Sequence, residues 1–525
     1  MSDPLPFPFW EPVPPPKVAP KIIGPHEIHL GERVGDEKAG PAKDGDPFCL
    51  TRQLLREGHA HVRGRTRSGK GALVLAPMAQ KLMEEYELTW KDSSGNEHRT
   101  VERDAIFVFD LGGDLALFNT VKRRAHELGR TFRPFSLDPR RSYYFDPFQS
   151  VTADEFRVVR ICTLLVEAFH LDHGLMYGGA YFTQRALSAL LRVAERAMQS
   201  RRAGKTTGLQ DIADYLDRHR ERDEDAVRMT FQALLLYQNL MPAANDPYVI
   251  DMVRAIKERE VIYFFVPTIG ESTTARQIAG LGLYTTVNAA MQLAAARPKH
   301  EWTKPLPHCW LLCDEVQEIA GRSFASLLAQ TAKAGVSIVM ANQTTEQLIS
   351  RDLNLADIVR DNTLAKIYFT VTGKRDIEEL QTFSRDDRDY LRSESTSGGG
   401  NLERGLMSPE RHGMSEFVVP MLRKDTILDT SATFGQAFAI VDDGRGHREP
   451  ARIQCRLTLP YETYLELRST PLEEVPHPVT PPSAPSRQDL LWQRARQLPP
   501  DAERQARLAS LTSLLADKLA LERLL

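Results

Sequence analysis

The sequence predicts an α/β protein: a mainly parallel sheet with an all-helical segment inserted into it. Three observations lead there. Short apolar runs ending in Gly, Asp or Asn alternate with helix-length segments, the pattern of strands covered by helices on both faces. One such run opens onto a glycine-rich turn, and a helical stretch follows it directly. Between residues 153 and 258 apolar residues recur instead at i, i+3, i+4 and i+7, the spacing of amphipathic helices.

Taken in order, residues 1–48 are rich in Pro, Gly and charge, with Phe7, Phe9 and Trp10 at the head. Fixed proline φ angles and few apolar residues predict an extended arm. From His59 the chain reads strand, glycine-rich turn, helix. AIFVFDLGG (105–113) and RTFRPFSL (130–137) are the next strands, followed by the YYFDPF turn. After the helical block come VIYFFVP (261–267), CWLLCDE (309–315), VSIVMANQ (336–343) and KIYFTVT (366–372) as strands, with ARQIAGLGLYTTVNAAMQLAAA a helix among them. Residues 393–413 are expected to be a flexible loop. GQAFAIV and ARIQCRLTL form a last strand pair. A Pro-rich linker, 461–489, then leads to a leucine-striped helical segment, 490–525.

Composition sets bounds. The chain has 525 residues, 67 Lys+Arg against 70 Asp+Glu, and a net charge of −3, which argues against a uniformly basic nucleic-acid coat. Basic residues do cluster: Arg63, Arg65, Arg67 and Lys70; Arg123, Arg124, Arg130 and Arg133; Arg201, Arg202 and Lys205. A local basic channel therefore stays open beside the plainer reading of solvated faces. No apolar run approaches the ~20 residues that span a bilayer, and the N-terminus lacks a signal-peptide pattern. The five cysteines are scattered without a Cys-x-x-Cys pair, so Cys309 and Cys313 are expected in the core and no metal site is expected from cysteine. A reducing cytoplasm is the expected setting.

Chemistry concentrates in three stretches. Gly64-Arg65-Thr66-Arg67-Ser68-Gly69-Lys70-Gly71, followed by Ala72, has the G-x-x-x-x-G-K framework of a phosphate-binding loop. Its glycines let backbone N–H groups turn onto phosphate oxygens, and the lysine neutralises the outer phosphates. Gly71 stands where a Ser or Thr usually supplies a hydroxyl to Mg²⁺. A second stretch, Gly204-Lys205-Thr206, lacks a preceding strand and is expected to be a loop. Asp314 and Glu315 end an apolar strand, which suits Asp314 to a metal's hydration shell and Glu315 to activating water. Gln343 ends the next strand as a candidate γ-phosphate sensor, with a loop-capping amide as the alternative.

With glycine after the lysine, Thr66-Arg67-Ser68-Gly69-Lys70-Gly71 resembles the loop of type IV coupling proteins, the TraG/TraD-like ATPases of conjugation in the HerA/FtsK superfamily of translocases. FVFDLGGDLALFN, YYFDPF, AYFTQRALSALL, LLCDEVQEIA and TAKAGVSIVMANQTTEQL resemble further family stretches in the same order. The resemblance spans about His59 to Leu459. It implies a RecA-like P-loop ATPase domain over 49–152 and 259–460, with the all-α domain, 153–258, inserted. It further implies a homohexameric ring that hydrolyses ATP with Mg²⁺ and moves DNA. Lys70 would bind phosphates, Asp314 would hold Mg²⁺ through water, Glu315 would activate water and Gln343 would report the γ-phosphate. A neighbouring subunit would supply an arginine, with Arg375, Arg360 and Arg351 as candidates. Relaxase or secretion-system components would be partners. Most family members begin with transmembrane helices and carry lysine where Gly112 stands; this chain departs on both counts, so a cytoplasmic protein reaching the inner membrane only through partners is expected. Two other readings stay open: an ATPase recruiting protein cargo, and a nucleotide-gated scaffold with little turnover.

Overall fold

Eleven strands form the central sheet. In chain order they are β1 (Glu27–Arg33), β2 (Pro47–Thr51), β3 (His59–Arg63), β4 (Ala105–Asp110), β5 (Phe132–Ser136), β6 (Val261–Phe265), β7 (Cys309–Asp314), β8 (Val336–Asn342), β9 (Thr363–Phe369), β10 (Gln436–Val441) and β11 (Ala451–Cys455). Across the sheet they run β2-β1-β11-β10-β9-β3-β8-β7-β4-β6-β5. The seven from β9 to β5 are mutually parallel, and the four at the other end are antiparallel. The computed structural model describes residues 21–475 apart from short interruptions, the longest of them 36–43, 148–157, 172–178, 396–410 and 443–449.

Both faces of the parallel part are covered, so β4, β6 and β7 are apolar along nearly their whole length rather than at alternate positions. Ile106 and Val108 of β4, Trp310 and Leu312 of β7 and Val339 of β8 face one hydrophobic cluster. It includes the helix after the glycine-rich turn, α1 (Ala76–Leu82), and α2 (Leu115–Glu127). Phe107, Phe109, Leu311, Cys313, Ile338 and Met340, from the same strands, face the other cluster. Successive side chains alternate sides because the strand period is two.

The second cluster runs without a break into the helical block: α3 (Val158–Ala168), α4 (Gly179–Arg202), α5 (Leu209–Arg218) and α6 (Asp225–Leu234). Between block and sheet lies α7 (Ser272–Ala295), whose Ile278, Leu281, Leu283 and Val287 join the same core. Mean polarity along α7 is low all round, which is why it reads as a buried helix rather than an amphipathic one. Two further helices matter below: α8 (Lys374–Phe383), after β9, and α9 (Tyr461–Ser469). Among the described residues no helix is long and apolar enough to cross a membrane.

Several expectations change. The second half of the 1–48 arm is not free: Glu27–Arg33 pairs with β2 and β11. Its Ile28 and Leu30 are buried, an alternation that the neighbouring prolines obscured. The helix after the glycine-rich turn stops at Leu82, and Tyr86–Lys91 pairs with Glu97–Glu102 as a hairpin that the sequence reading did not anticipate. The loop at 393–413 is strand at both ends, because Asp386–Ser395 pairs with Arg411–Pro420. Residues 461–475 are docked rather than linker. The Asn119 side chain donates to the Leu467 and Thr470 carbonyls at 2.9 Å each, and Lys122 meets Glu473 at 2.6 Å. Residues 1–20, 490–525 and Gly204-Lys205-Thr206 lie outside the described residues.

One buried ionic knot ties strand, hairpin and sheet together. Asp104, fully buried just before β4, accepts from Arg52 (2.8 Å), Arg56 (3.1 Å), the Tyr86 hydroxyl (2.6 Å) and the Trp310 indole (2.8 Å). Burial alone would raise its pKa, but Arg56 and Arg52 hold it well below the usual carboxylate range. Replacing one member of such a group strands a buried charge, which costs about 3–5 kcal/mol. Asp104→Asn is accordingly expected to lower unfolding stability by about that amount, measured by urea denaturation, while a substitution of exposed Arg99 stays within about 0.5 kcal/mol.

Candidate functional site

The glycine-rich turn begins where β3 ends. Gly64 donates its N–H to Asn342 O (3.2 Å), so the turn leaves the sheet beside β8. Arg65, Thr66 and Arg67 are exposed, whereas Ser68 and Lys70 are buried. Arg67 and Gly69 both take positive φ, 65° and 100°. At Gly69 a side chain would also meet Leu73 at 2.5 Å, so the turn needs glycine there on both counts. Gly71 and Ala72 open a single π-helical turn, Gly71–Leu75, that continues into α1.

The groups inside this turn suit phosphate oxygens. The Lys70 amine donates back to Gly64 O at 2.5 Å, and the buried Ser68 hydroxyl has no hydrogen-bond partner. A buried hydroxyl with no partner costs about 1–3 kcal/mol, a cost that an anionic ligand in the turn would remove. The residues therefore fit a nucleotide's phosphates.

Parallel register brings the acidic residues to the same edge. Asp314 ends β7 directly beside Asp110, which ends β4. β8 lies between β7 and β3, so Asp314 sits one strand away from the turn and feels the charge of Lys70. Glu315 follows at φ 55°, ψ 50°, a left-handed conformation that costs a non-glycine residue about 1–3 kcal/mol. Its carboxylate accepts from Gln317 Nε2 (2.6 Å) and from Gln343 Nε2 (3.3 Å to each oxygen). Gln343 is thus joined to Glu315 across the two strand ends. The neighbouring Asn342 does the loop capping, donating to Thr344 O and accepting from His61.

Of the arginine candidates, Arg360 pairs with Asp357 (2.9 Å) and Asp361 (3.0 Å). Arg375, at the start of α8, is exposed and makes no ion pair among the described residues. Arg351 lies outside them.

Three participants escaped the sequence reading. Gln317 is a second amide on Glu315. Asp110 accepts from Gly113 N (2.7 Å), Asp114 N (2.9 Å) and the Tyr263 hydroxyl (2.9 Å), and so shapes the loop after β4. Its position before a glycine pair was the available signal. Arg63, grouped by sequence with a basic cluster, is buried: it binds Asp376 (2.9 Å), Glu379 (2.6 Å) and Thr345 (2.7 Å) and stacks on Tyr368. It ties the root of the turn to α8. The second basic cluster is largely paired, with Arg123 exposed beside Glu127. Arg124 pairs with Glu84 and Glu127, Arg130 caps the Met83 and Asp104 carbonyls, and Arg133 binds Glu260. Arg65 and Arg67 of the first cluster and Arg123 of the second stay exposed, while the other arginines of both clusters are engaged in internal pairs.

Burial and the neighbouring charges of Asp314 and Asp114 push Asp110 up to about 8. Burial also raises Asp314 to about 6; Lys70 opposes the shift, while Glu315 and Asp114 reinforce it. The folded chain holds these protons above the pH of about 4 at which the unfolded chain releases them. The folded state then binds more protons in that window, and its stability falls as pH rises through it. Calorimetry of the ligand-free protein is expected to show the melting temperature dropping between about pH 5 and 8, with Asp110→Asn flattening the slope. An unchanged slope in the variant would mean that Asp110 is not protonated there.

No family model matches this sequence, and no curated protein sequence matches it. Solved structures do. The bacterial conjugative coupling protein TrwBdeltaN70, unbound monoclinic form, superposes with TM-score 0.52 at 13% identity, covering 82% of this chain and 94% of that one. The plasmid coupling protein TrwB with the non-hydrolysable ATP analogue ADPNP gives 0.50 at 15% identity, over 83% and 95%. Its complex with the GTP analogue GDPNP gives 0.50 at 14%, over 82% and 95%. The chain has the α/β fold of that coupling protein, at an identity that speaks for fold alone.

Proposed function

We propose that this protein hydrolyses ATP with Mg²⁺ to drive DNA passage, as a motor of the conjugative coupling-protein type serving a type IV secretion-like machine. The observation that carries the reading is the convergence of Lys70, Asp314, Glu315 and Gln343 at the carboxyl ends of three neighbouring parallel strands. In open α/β sheets that edge is where ligands bind. The fold shared with a coupling protein solved with ADPNP and GDPNP supports the nucleotide.

Each residue then has a role that its surroundings suit. Lys70 and the N–H groups of Gly64–Ala72 would hold the outer phosphates, with Ser68 as a further donor. Asp314 would hold Mg²⁺ through water, and the bound ion would neutralise phosphate charge. Glu315, oriented by the Gln317 and Gln343 amides, would accept a proton from the attacking water. Gln343, bonded to Glu315, would pass the state of the γ-phosphate to it. Arg375 would complete the neighbouring subunit's site in a closed head-to-tail ring of six. DNA would be gripped by its phosphates rather than read by base edges, and relaxase or secretion components would deliver it.

ATPase rates with and without single- and double-stranded DNA, at low and moderate salt, test this. DNA is expected to stimulate turnover several-fold, with the effect shrinking as salt rises. Lys70→Ala and Glu315→Gln are expected to lower turnover at least ~100-fold. Turnover indifferent to DNA would point to protein cargo, and none above the Glu315→Gln background to a nucleotide-gated scaffold. Arg375→Ala is expected to keep nucleotide binding and lose about 1,000-fold in rate. Mixing it with Lys70→Ala subunits should restore part of the activity, since each variant carries the residue that the other lacks.

A further inference from the structure

We infer that Asp114 takes the place of the hydroxyl missing at Gly71, so that the Mg²⁺ of a bound nucleotide is held between Asp114 and Asp314. The inference rests on the nucleotide-binding reading above and adds to it a residue from outside the loop.

The geometry starts at Gly71. A Cβ built there would lie 2.7 Å from Asp114 Oδ2. The carboxylate oxygen thus lies where a Ser or Thr side chain would begin, and such a side chain would have to displace it. Asp114 is held firmly. It caps α2 through Oδ1, which accepts from Ala116 N (2.9 Å) and Leu117 N (3.2 Å), and its own N–H donates to Asp110. Capping uses one oxygen and leaves Oδ2 turned to the start of the π-helical turn. The loop from Asp110 to Asp114 also passes tightly by the other carboxylate, because a Cβ on Gly112 would come within 3.1 Å of Asp314 Oδ2. Gly112 thereby leaves the space beside Asp314 clear.

Charge points the same way. Asp110, Asp114 and Asp314 interact with one another, with Lys70 as the cation acting on Asp314. Asp110 spends its oxygens on Gly113, Asp114 and Tyr263, which makes it the residue that positions the loop rather than a metal ligand. The unpartnered buried Ser68 hydroxyl is an independent sign that an anion belongs in the adjoining turn. Among the described residues no three Asp, Glu, His or Cys side chains converge to cage an ion alone. An Mg²⁺ held mainly by phosphates and water needs only one or two carboxylates.

The test uses the full chain, ADP and Mn²⁺ as the metal probe, read by electron paramagnetic resonance, with fluorescent ADP titrated in parallel in EDTA. Asp114→Asn removes the charge and keeps a good helix cap, and Asp114→Ser is the second capping variant should the first not fold. The expected result is a loss of about 10–100-fold in Mn²⁺ affinity of the ADP complex, with ADP affinity in EDTA unchanged. Mn²⁺ affinity within twofold of the parent overturns the inference. So does an equal loss of ADP affinity with and without metal, which would make Asp114 a loop-shaping residue only. A parent chain that binds no ADP under either condition would instead sink the nucleotide reading, and this inference with it.

Discussion

The site depends on one constraint: seven strands run parallel in a fixed register, so their carboxyl ends arrive at one edge. Parallel pairing sets Asp314 opposite Asp110 and brings Asn342 beside the root of the glycine-rich turn. Slipping one strand by a single residue would turn its apolar side chains to the wrong face. Trp310 and Leu312 would then exchange clusters with Leu311 and Cys313. The two cores that cover the sheet therefore hold the register, and the register holds the acidic residues. Stability and chemistry are thereby coupled through strand pairing.

What the sequence revealed follows from how local each signal is. The central strands were legible because burial on both faces makes them continuous apolar runs. The turn at Gly64–Gly71 was legible because phosphate binding demands glycines and a lysine at fixed spacing. Glu27–Arg33 was not, since its partner β11 lies more than 400 residues further along and a Pro-rich context masks a seven-residue alternation. Arg63 and Arg130 misled for a related reason. A sequence shows that arginines are clustered, but their partners, Glu379 and Asp376 for one and backbone carbonyls for the other, are brought in only by folding. Gln317 and Asp114 needed coordinates, because each matters through the direction of one oxygen or nitrogen.

Two buried acidic groups in this chain show how direction of a shift separates structure from chemistry. Asp104 is surrounded by Arg52, Arg56, Tyr86 and Trp310 and is driven far toward the charged form. Every group near it is a donor, so folding is what pays for its burial. Asp110 is equally deep and Asp314 partly so, but carboxylates crowd both, and at Asp314 Lys70 opposes only part of the effect. Perturbed carboxylates mark functional and structural sites alike; here the sign distinguishes them. A depressed pKa belongs to a site completed by its own chain, and a raised one to a site with unbalanced negative charge.

Glu315 belongs to neither group. Its backbone sits in the left-handed region while two neutral amides, Gln317 and Gln343, hold its carboxylate. An arginine in their place would bind more strongly and would also quench the charge that accepting a proton requires. Amides orient a carboxylate without forming an ion pair with it, so the side chain is placed and left without a cation partner among them. The backbone strain at this residue is carried by β7 and β8, whose ends it bridges through Gln343. A fold that spends arginines freely on Asp104, Glu260 and Glu379 but uses only amides at Glu315 separates the residues that hold the protein together from the one that has to react.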